Sequence, residues 1–104
     1  MGKSSFTIVE TSATPNVELE VSGYIVYDTA MQFEKAISDS LQKSPESLTV
    51  NMENVVVFTS VGIKIILKAF KTAKEKGTRF QLESPSDVVR NVLKLSDLTE
   101  LLLK

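Results

Sequence analysis

The chain contains no cysteine, no histidine and no tryptophan. Its own side chains therefore cannot build a disulfide, a Cys/His zinc site, a thiol nucleophile or a Ser–His or Cys–His relay. Most hydrolytic enzyme classes drop out with them. Long hydrophobic runs are also missing, the longest apolar stretches falling far short of the roughly 18 residues a membrane span requires. Residues 1–5 hold one lysine and no apolar segment, so no secretory signal is expected. Absent cysteine is compatible with a reducing compartment, and the expectation is a soluble, cytoplasmic protein without membrane insertion. An excess of one charge is missing as well. With 12 Lys plus Arg against 13 Asp plus Glu, there is neither the basic field of a nucleic-acid binder nor the acidic run of a disordered tail.

What remains is 104 residues, 42% of them hydrophobic, which suits one core and a single domain over 1–104. Phe6-Thr7-Ile8-Val9-Glu10-Thr11 is rich in β-branched residues. After a break at Thr14-Pro15-Asn16, Val17-Glu18-Leu19-Glu20-Val21 alternates apolar and acidic. Both read as strands, paired antiparallel, with Val17, Leu19 and Val21 facing the core and Glu18 and Glu20 facing water. Gly23 permits a bend or bulge before Tyr24. Thr29 as N-cap with Gln32 three residues on predicts a first helix, whose apolar face is Ala30, Phe33, Ile37 and Leu41 and which Ser44-Pro45 ends.

Leu48, Val50 and Met52 alternate as a third strand, and Val55-Val56-Val57-Phe58 reads as continuous buried backbone leading to the next helix. That helix runs from Ser60 or Val61 to Lys76. Ile66, Ala69, Phe70 and Ala73 lie on one side, Lys64, Lys68, Lys71 and Glu75 on the other, and Gly77 is the stop. The lysine face reads as solvated surface rather than as a site. Residues 79–83 form a fourth strand. Ser84-Pro85-Ser86-Asp87 supplies a cap, a proline at the first helical position and an acid at the third for a helix through Val88, Val89, Val92 and Leu93. A second start at Ser96-Asp97 suggests a short closing helix that buries Leu98, Leu101 and Leu102. The expectation is an α/β domain: a mixed sheet of about four strands with an N-terminal antiparallel pair, right-handed β-α-β-α-β crossovers and C-terminal helices.

The groups left for catalysis are carboxylates, lysines, hydroxyls and two tyrosines, and none pairs at a spacing that demands it. No catalytic residue, metal site or cofactor is expected. The informative junction is Thr59-Ser60-Val61-Gly62, where two hydroxyls stand between an apolar run and a helix start. From local sequence, a hydroxyl there caps free backbone N–H groups.

From about residue 17 to 102, the chain resembles the STAS domain of bacterial anti-sigma factor antagonists. The resemblance rests on Gly23-Tyr24-Ile25 with Asp28-Thr29-Ala30, on Leu48-Thr49-Val50-Asn51-Met52 leading into Val55, and on Thr59-Ser60-Val61-Gly62-Ile63. Ala69, Ala73, Lys76-Gly77 and Val92-Leu93-Lys94-Leu95-Ser96-Asp97-Leu98 add to it. The family's junction reads Asp-Ser-Ser-Gly or Asp-Ser-Thr-Gly, and its first hydroxyl after the aspartate is phosphorylated by the anti-sigma factor, a serine kinase. Ser60 holds that position, with Thr59 as a weaker acceptor.

The resemblance implies a non-enzymatic partner switch. The unmodified chain docks on the kinase through Asp28, Thr59, Ser60, Val61 and Gly62, and the phosphorylated chain lets go. A serine phosphatase would reverse the modification. Thr59 stands where the family has aspartate, Val61 replaces the second hydroxyl, Val26 replaces another aspartate, and Tyr24 replaces a glutamate. Neither Thr nor Val accepts hydrogen bonds as an ionised group. A chain that keeps the scaffold and binds constitutively, for example as a subunit of a lipid-transport ABC complex, is the alternative.

Overall fold

A computed structural model of the chain describes residues 6–12 and 15–95, with Ser12 and Leu95 described by backbone alone. The elements are β1 (Phe6–Ser12), β2 (Asn16–Ile25), α1 (Tyr27–Gln42), β3 (Ser47–Phe58), α2 (Ser60–Lys76), β4 (Arg79–Glu83) and α3 (Asp87–Leu95). One sheet runs in the order β1-β2-β3-β4, antiparallel between β1 and β2 and parallel thereafter. This is the expected mixed α/β architecture. The parallel strands need crossovers, and the apolar stripes of α1 and α2 lie side by side over one sheet face.

Alternation in β2 works as expected: Val17, Leu19 and Val21 are buried among Phe33, Ile37, Leu41, Leu48, Val50 and Ile66. Ile8 and Phe6 of β1 extend this core, and the Phe6 ring meets Phe33 edge-on with centroids 6.4 Å apart. Removing each large aliphatic side chain from water contributes about 1.5–3 kcal/mol, so two packed layers suffice to hold the sheet to its helices. The opposite face carries Glu18, Glu20, Thr49, Asn51, Gln81 and Glu83 and is wetter.

The structure changes four expectations. First, α1 begins at Tyr27 with Val26 as its N-cap, so Thr29 is the third helical residue, not the cap. Its buried hydroxyl accepts the Val26 N–H at 3.0 Å and donates to the Tyr24 carbonyl at 2.6 Å. The return half of the capping motif is therefore supplied by Thr29, and Gln32 plays no part. Second, residues 55–58 belong to β3 and are not uniformly buried.

Two bulges explain that pattern. Glu20 faces Asn51 but Ser22 faces Asn54, and Gly23 faces Val55 but Tyr24 faces Val57, so β3 carries two extra residues. Core-facing positions then fall at Met52, Val55 and Phe58, every third residue, and Val56 is left 57% exposed. Asn51 Oδ1 accepts the Glu53 N–H at 3.0 Å at the first bulge, and Gly23 with φ of 98° accommodates the second.

Third, α3 begins at Asp87, and Ser86 rather than Ser84 reaches its orphan amides, Oγ accepting the Val89 N–H at 3.5 Å. Ser84 instead sits in the left-handed region at φ 49°. Pro85 thus precedes the helix. β4 pairs only with residues 47–51 of β3, and α3 packs beside the remainder, tied by Ser86 N–H to the Met52 carbonyl. Fourth, no hydroxyl caps α2: its N-cap residue, Thr59, makes no side-chain cap bond, while the helix itself spans Ser60–Lys76 and ends on Gly77 at φ 76° as expected. The closing helix expected from Ser96-Asp97, with Leu98, Leu101 and Leu102, lies outside the described residues. Among the described residues no helix is long and apolar enough to cross a membrane.

Candidate functional site

β2 and β3 run parallel and finish level, with Ile25 opposite Phe58. The chain leaves β2 into α1 and β3 into α2, so both helix N-termini emerge at one end of the molecule. Asp28 and the cluster Thr59, Ser60, Val61 and Gly62, separated by thirty residues in sequence, therefore share that end. They share that end of the molecule, but Gly62 is buried and Thr59 and Val61 are half-buried, so within the cluster only Ser60 is exposed.

Each residue there has a defined environment. The Thr59 side chain does not cap α2; its hydroxyl donates to the Ile25 carbonyl at 3.1 Å and laces the end of β2 to the start of α2. Ser60 is exposed, and among the described residues its hydroxyl makes no hydrogen bond. The first-turn amides are only partly satisfied, Gly62 N–H reaching the Thr59 carbonyl at 2.9 Å while Ser60 and Val61 N–H find no protein acceptor among the described residues. No acidic residue lies in the first turn of α2. The positive end of this helix dipole is thus uncompensated and open. By contrast, α1 carries exposed Asp28 in its own first turn.

Gly62 is buried because the helix presses on the strand ends. A Cβ placed there would lie 2.5 Å from Phe58 Cε1 and 3.0 Å from Ile25 Cγ2. Carbon–carbon contacts are comfortable at about 3.5–4.0 Å, so only glycine admits this approach. Val61 is half-buried and packs on the core cluster. The hydroxyl of Ser60 is consequently displayed on a rigid, close-packed base.

Two residues of this end escaped the sequence reading. Tyr27 and Met31, four apart on α1, are 83% and 80% exposed, the most exposed large apolar side chains described. Their signal was available, since both fall off the apolar stripe Ala30-Phe33-Ile37-Leu41. Of the lysine face, Lys68 bridges to Glu34 of α1 at 3.1 Å. A groove floored by Ile37, Ile65 and Ala69 lies farther along the two helices and does not reach Ser60. Among the described residues no group of acidic side chains is arranged to hold a metal ion.

On the wet sheet face, Glu83 shares a hydrogen bond with Glu18, which, with partial desolvation and the like charge, holds its carboxyl above its ordinary value of 4.5. It stands apart from the junction.

The family model described as the STAS domain matches residues 8–104. Among solved structures, the anti-sigma factor antagonist SpoIIAA in its unphosphorylated form aligns with a TM-score of 0.79 at 20% identity, over 96% of this chain and 86% of that one. An anti-sigma factor antagonist from Mycobacterium paratuberculosis aligns at 0.78 and 26% identity, over 95% and 85%. The Bacillus cell fate determinant SpoIIAA in its phosphorylated form aligns at 0.73 and 20% identity, over 96% and 89%. No curated protein matches the sequence.

Proposed function

The chain belongs to the STAS domain family, and on that premise we propose that it works as an anti-sigma factor antagonist in a partner-switching pathway. Unmodified, it docks on an anti-sigma factor that is also a serine kinase; phosphorylated on Ser60, it lets go, and a serine phosphatase resets it. It catalyses no reaction of its own. The observation that carries this reading is Ser60 itself: an exposed, unengaged hydroxyl at the first position of a helix that has no side-chain cap and no first-turn acid. Thr59, whose hydroxyl is tied to Ile25, is the poorer acceptor.

Transfer moves the γ-phosphoryl group of ATP to Ser60 Oγ, releases the hydroxyl proton and leaves ADP. The product brings about −1.5 to −2 charges to a contact surface that was neutral at this atom. The open N-terminus of α2 stabilises an anion by about 0.3–1 kcal/mol, so the modified domain has no reason to unfold. At a docked interface, like-charge placement and desolvation cost several kcal/mol, and each ~1.4 kcal/mol is tenfold in affinity. Loss of docking without loss of fold follows from that inequality. In support, the unphosphorylated and phosphorylated forms of SpoIIAA both share this chain's fold.

Affinity purification with the chain as bait, followed by incubation of the recovered partner with ATP, tests the proposal. A serine kinase that labels the wild type and not Ser60→Ala is the expected result. Full labelling of the Ala variant removes Ser60 from the mechanism. Val26 and Thr59, standing without carboxylates at the junction, favour the second reading, a constitutive subunit of a lipid-transport ABC complex. Recovery of a nucleotide-binding transporter subunit in place of a kinase selects it.

A further inference from the structure

The first turns of α1 and α2 carry two exposed charges, Asp28 and Lys64, and the residues immediately flanking Ser60 carry none. Thr59 turns its hydroxyl inward to Ile25, Val61 packs on the core and Val26 is aliphatic, leaving Asp28 as the carboxylate of the two junctions. Against this, Tyr27 and Met31 stand almost fully exposed at i and i+4 of α1. Their position relative to Ser60 follows from helix geometry. α1 and α2 leave neighbouring parallel strands in the same direction, and the Glu34–Lys68 bridge fixes their stagger. Stepping back about two turns from each partner of that bridge brings Tyr27 level with Val61, the residue next to Ser60.

We propose that Tyr27 and Met31 are the docking anchors for the kinase that modifies Ser60, and that this kinase receives them in an uncharged apolar groove beside its active site. This rests on the reading of Ser60 given above and adds the chemistry of the partner. A helix that offers an aromatic and a thioether one turn apart matches the helix-in-groove mode, in which a few i, i+4 anchors carry most of the affinity. Tyrosine suits the rim because its ring is buried while its hydroxyl stays wet.

A second copy of the chain fits the patch poorly. The two side chains expose on the order of 300–400 Å² together, about half of the ~800 Å² per partner that a stable flat interface needs. A concave partner that wraps the first turns of α1 and reaches Ser60 supplies the remainder. Because the anchors are neutral, such docking is insensitive to salt, unlike pairing between carboxylates and partner arginines.

The test uses the full chain, the kinase recovered by affinity purification, and ATP. Initial phosphorylation rates are measured for wild type, Tyr27→Gln, Met31→Gln and Met31→Leu. Each Gln variant is expected to raise KM about tenfold with kcat unchanged, while Met31→Leu stays within about threefold of wild type. Raising salt from about 50 to about 500 mM changes KM less than about threefold. Both anchors are solvent-facing, so melting curves of the Gln variants match the wild type and separate docking from folding. Wild-type KM in the Gln variants, with Ser60 still labelled, overturns the anchors and leaves the Ser60 reading intact. A steep salt dependence overturns the apolar groove. A wild type that is not labelled on Ser60 removes both proposals. A dimer of the chain alone, dispersed by Tyr27→Gln, makes a second copy the occupant and overturns the assignment to the kinase.

Discussion

Replacing Gly62 by alanine tests the close approach on which the presentation of Ser60 depends. The new Cβ would stand 2.5 and 2.9 Å from two atoms of the Phe58 ring and 3.0 Å from Ile25 Cγ2, an overlap of about 1 Å on ordinary carbon contacts. Phe58 and Ile25 are both buried, so neither side chain can swing into solvent. Overpacking of this kind costs about 1–3 kcal/mol. The gain in helix propensity from Gly to Ala is about 0.8–1 kcal/mol, and it acts in the opposite direction.

With three contacts at or below 3.0 Å, the clash belongs at the upper end of its range. The net expectation is a destabilisation of about 2 kcal/mol, equivalent to a Tm loss on the order of 10 °C for a domain of this size. Urea unfolding followed by circular dichroism measures it as a lowered midpoint with an unchanged slope. An alanine variant as stable as the wild type, or more so, refutes the reasoning: it would mean that propensity governs this position and that α2 does not press on the strand ends.

Thr29→Val removes a buried hydroxyl that serves both the Val26 N–H and the Tyr24 carbonyl; a loss of about 2–3 kcal/mol is expected in chemical unfolding. Ser60→Glu is expected to keep the wild-type circular dichroism spectrum while weakening docking at least tenfold in calorimetry, and a collapsed spectrum would contradict the argument from the helix dipole. Glu83→Gln addresses the carboxyl pair on the open sheet face. A folded pKa raised above the ordinary 4.5 gives stability that is present below that value and is lost as pH rises through the folded one. The Gln variant should therefore be the more stable protein at pH 7, with its advantage vanishing below about pH 4; an advantage independent of pH would exclude the carboxyl pair as its cause.

Much of the fold could be read locally because each element announces itself within a few residues. The Val17-Leu19-Val21 alternation, the stripe Ala30-Phe33-Ile37-Leu41 and the Gly77 stop all behave as expected. Errors fall at element starts. Thr29 has the composition of a cap, yet as the third helical residue its hydroxyl reaches back, accepting the Val26 N–H and donating to the Tyr24 carbonyl, a choice decided by where β2 ends. Ser84 and Ser86 are equally plausible caps in sequence, and the bond from Ser86 N–H to the Met52 carbonyl selects the latter. Residues 55–58 were misread because bulges change the facing period from two to three, and the extra residues arise from pairing with β2.

The sequence by itself determined which chemistry is excluded, the order of strands and helices, and the presence of a hydroxyl followed by glycine at the start of α2, since absent side chains and short-range periodicity need no knowledge of distant residues. Only the tertiary structure decided that Ile25 and Phe58 finish side by side, that Thr59 is turned inward while Ser60 is displayed, and that Tyr27 and Met31 stand bare on the first turns of α1. Those outcomes depend on strand register and helix stagger, which are set by hydrogen bonds and burial between segments about thirty residues apart.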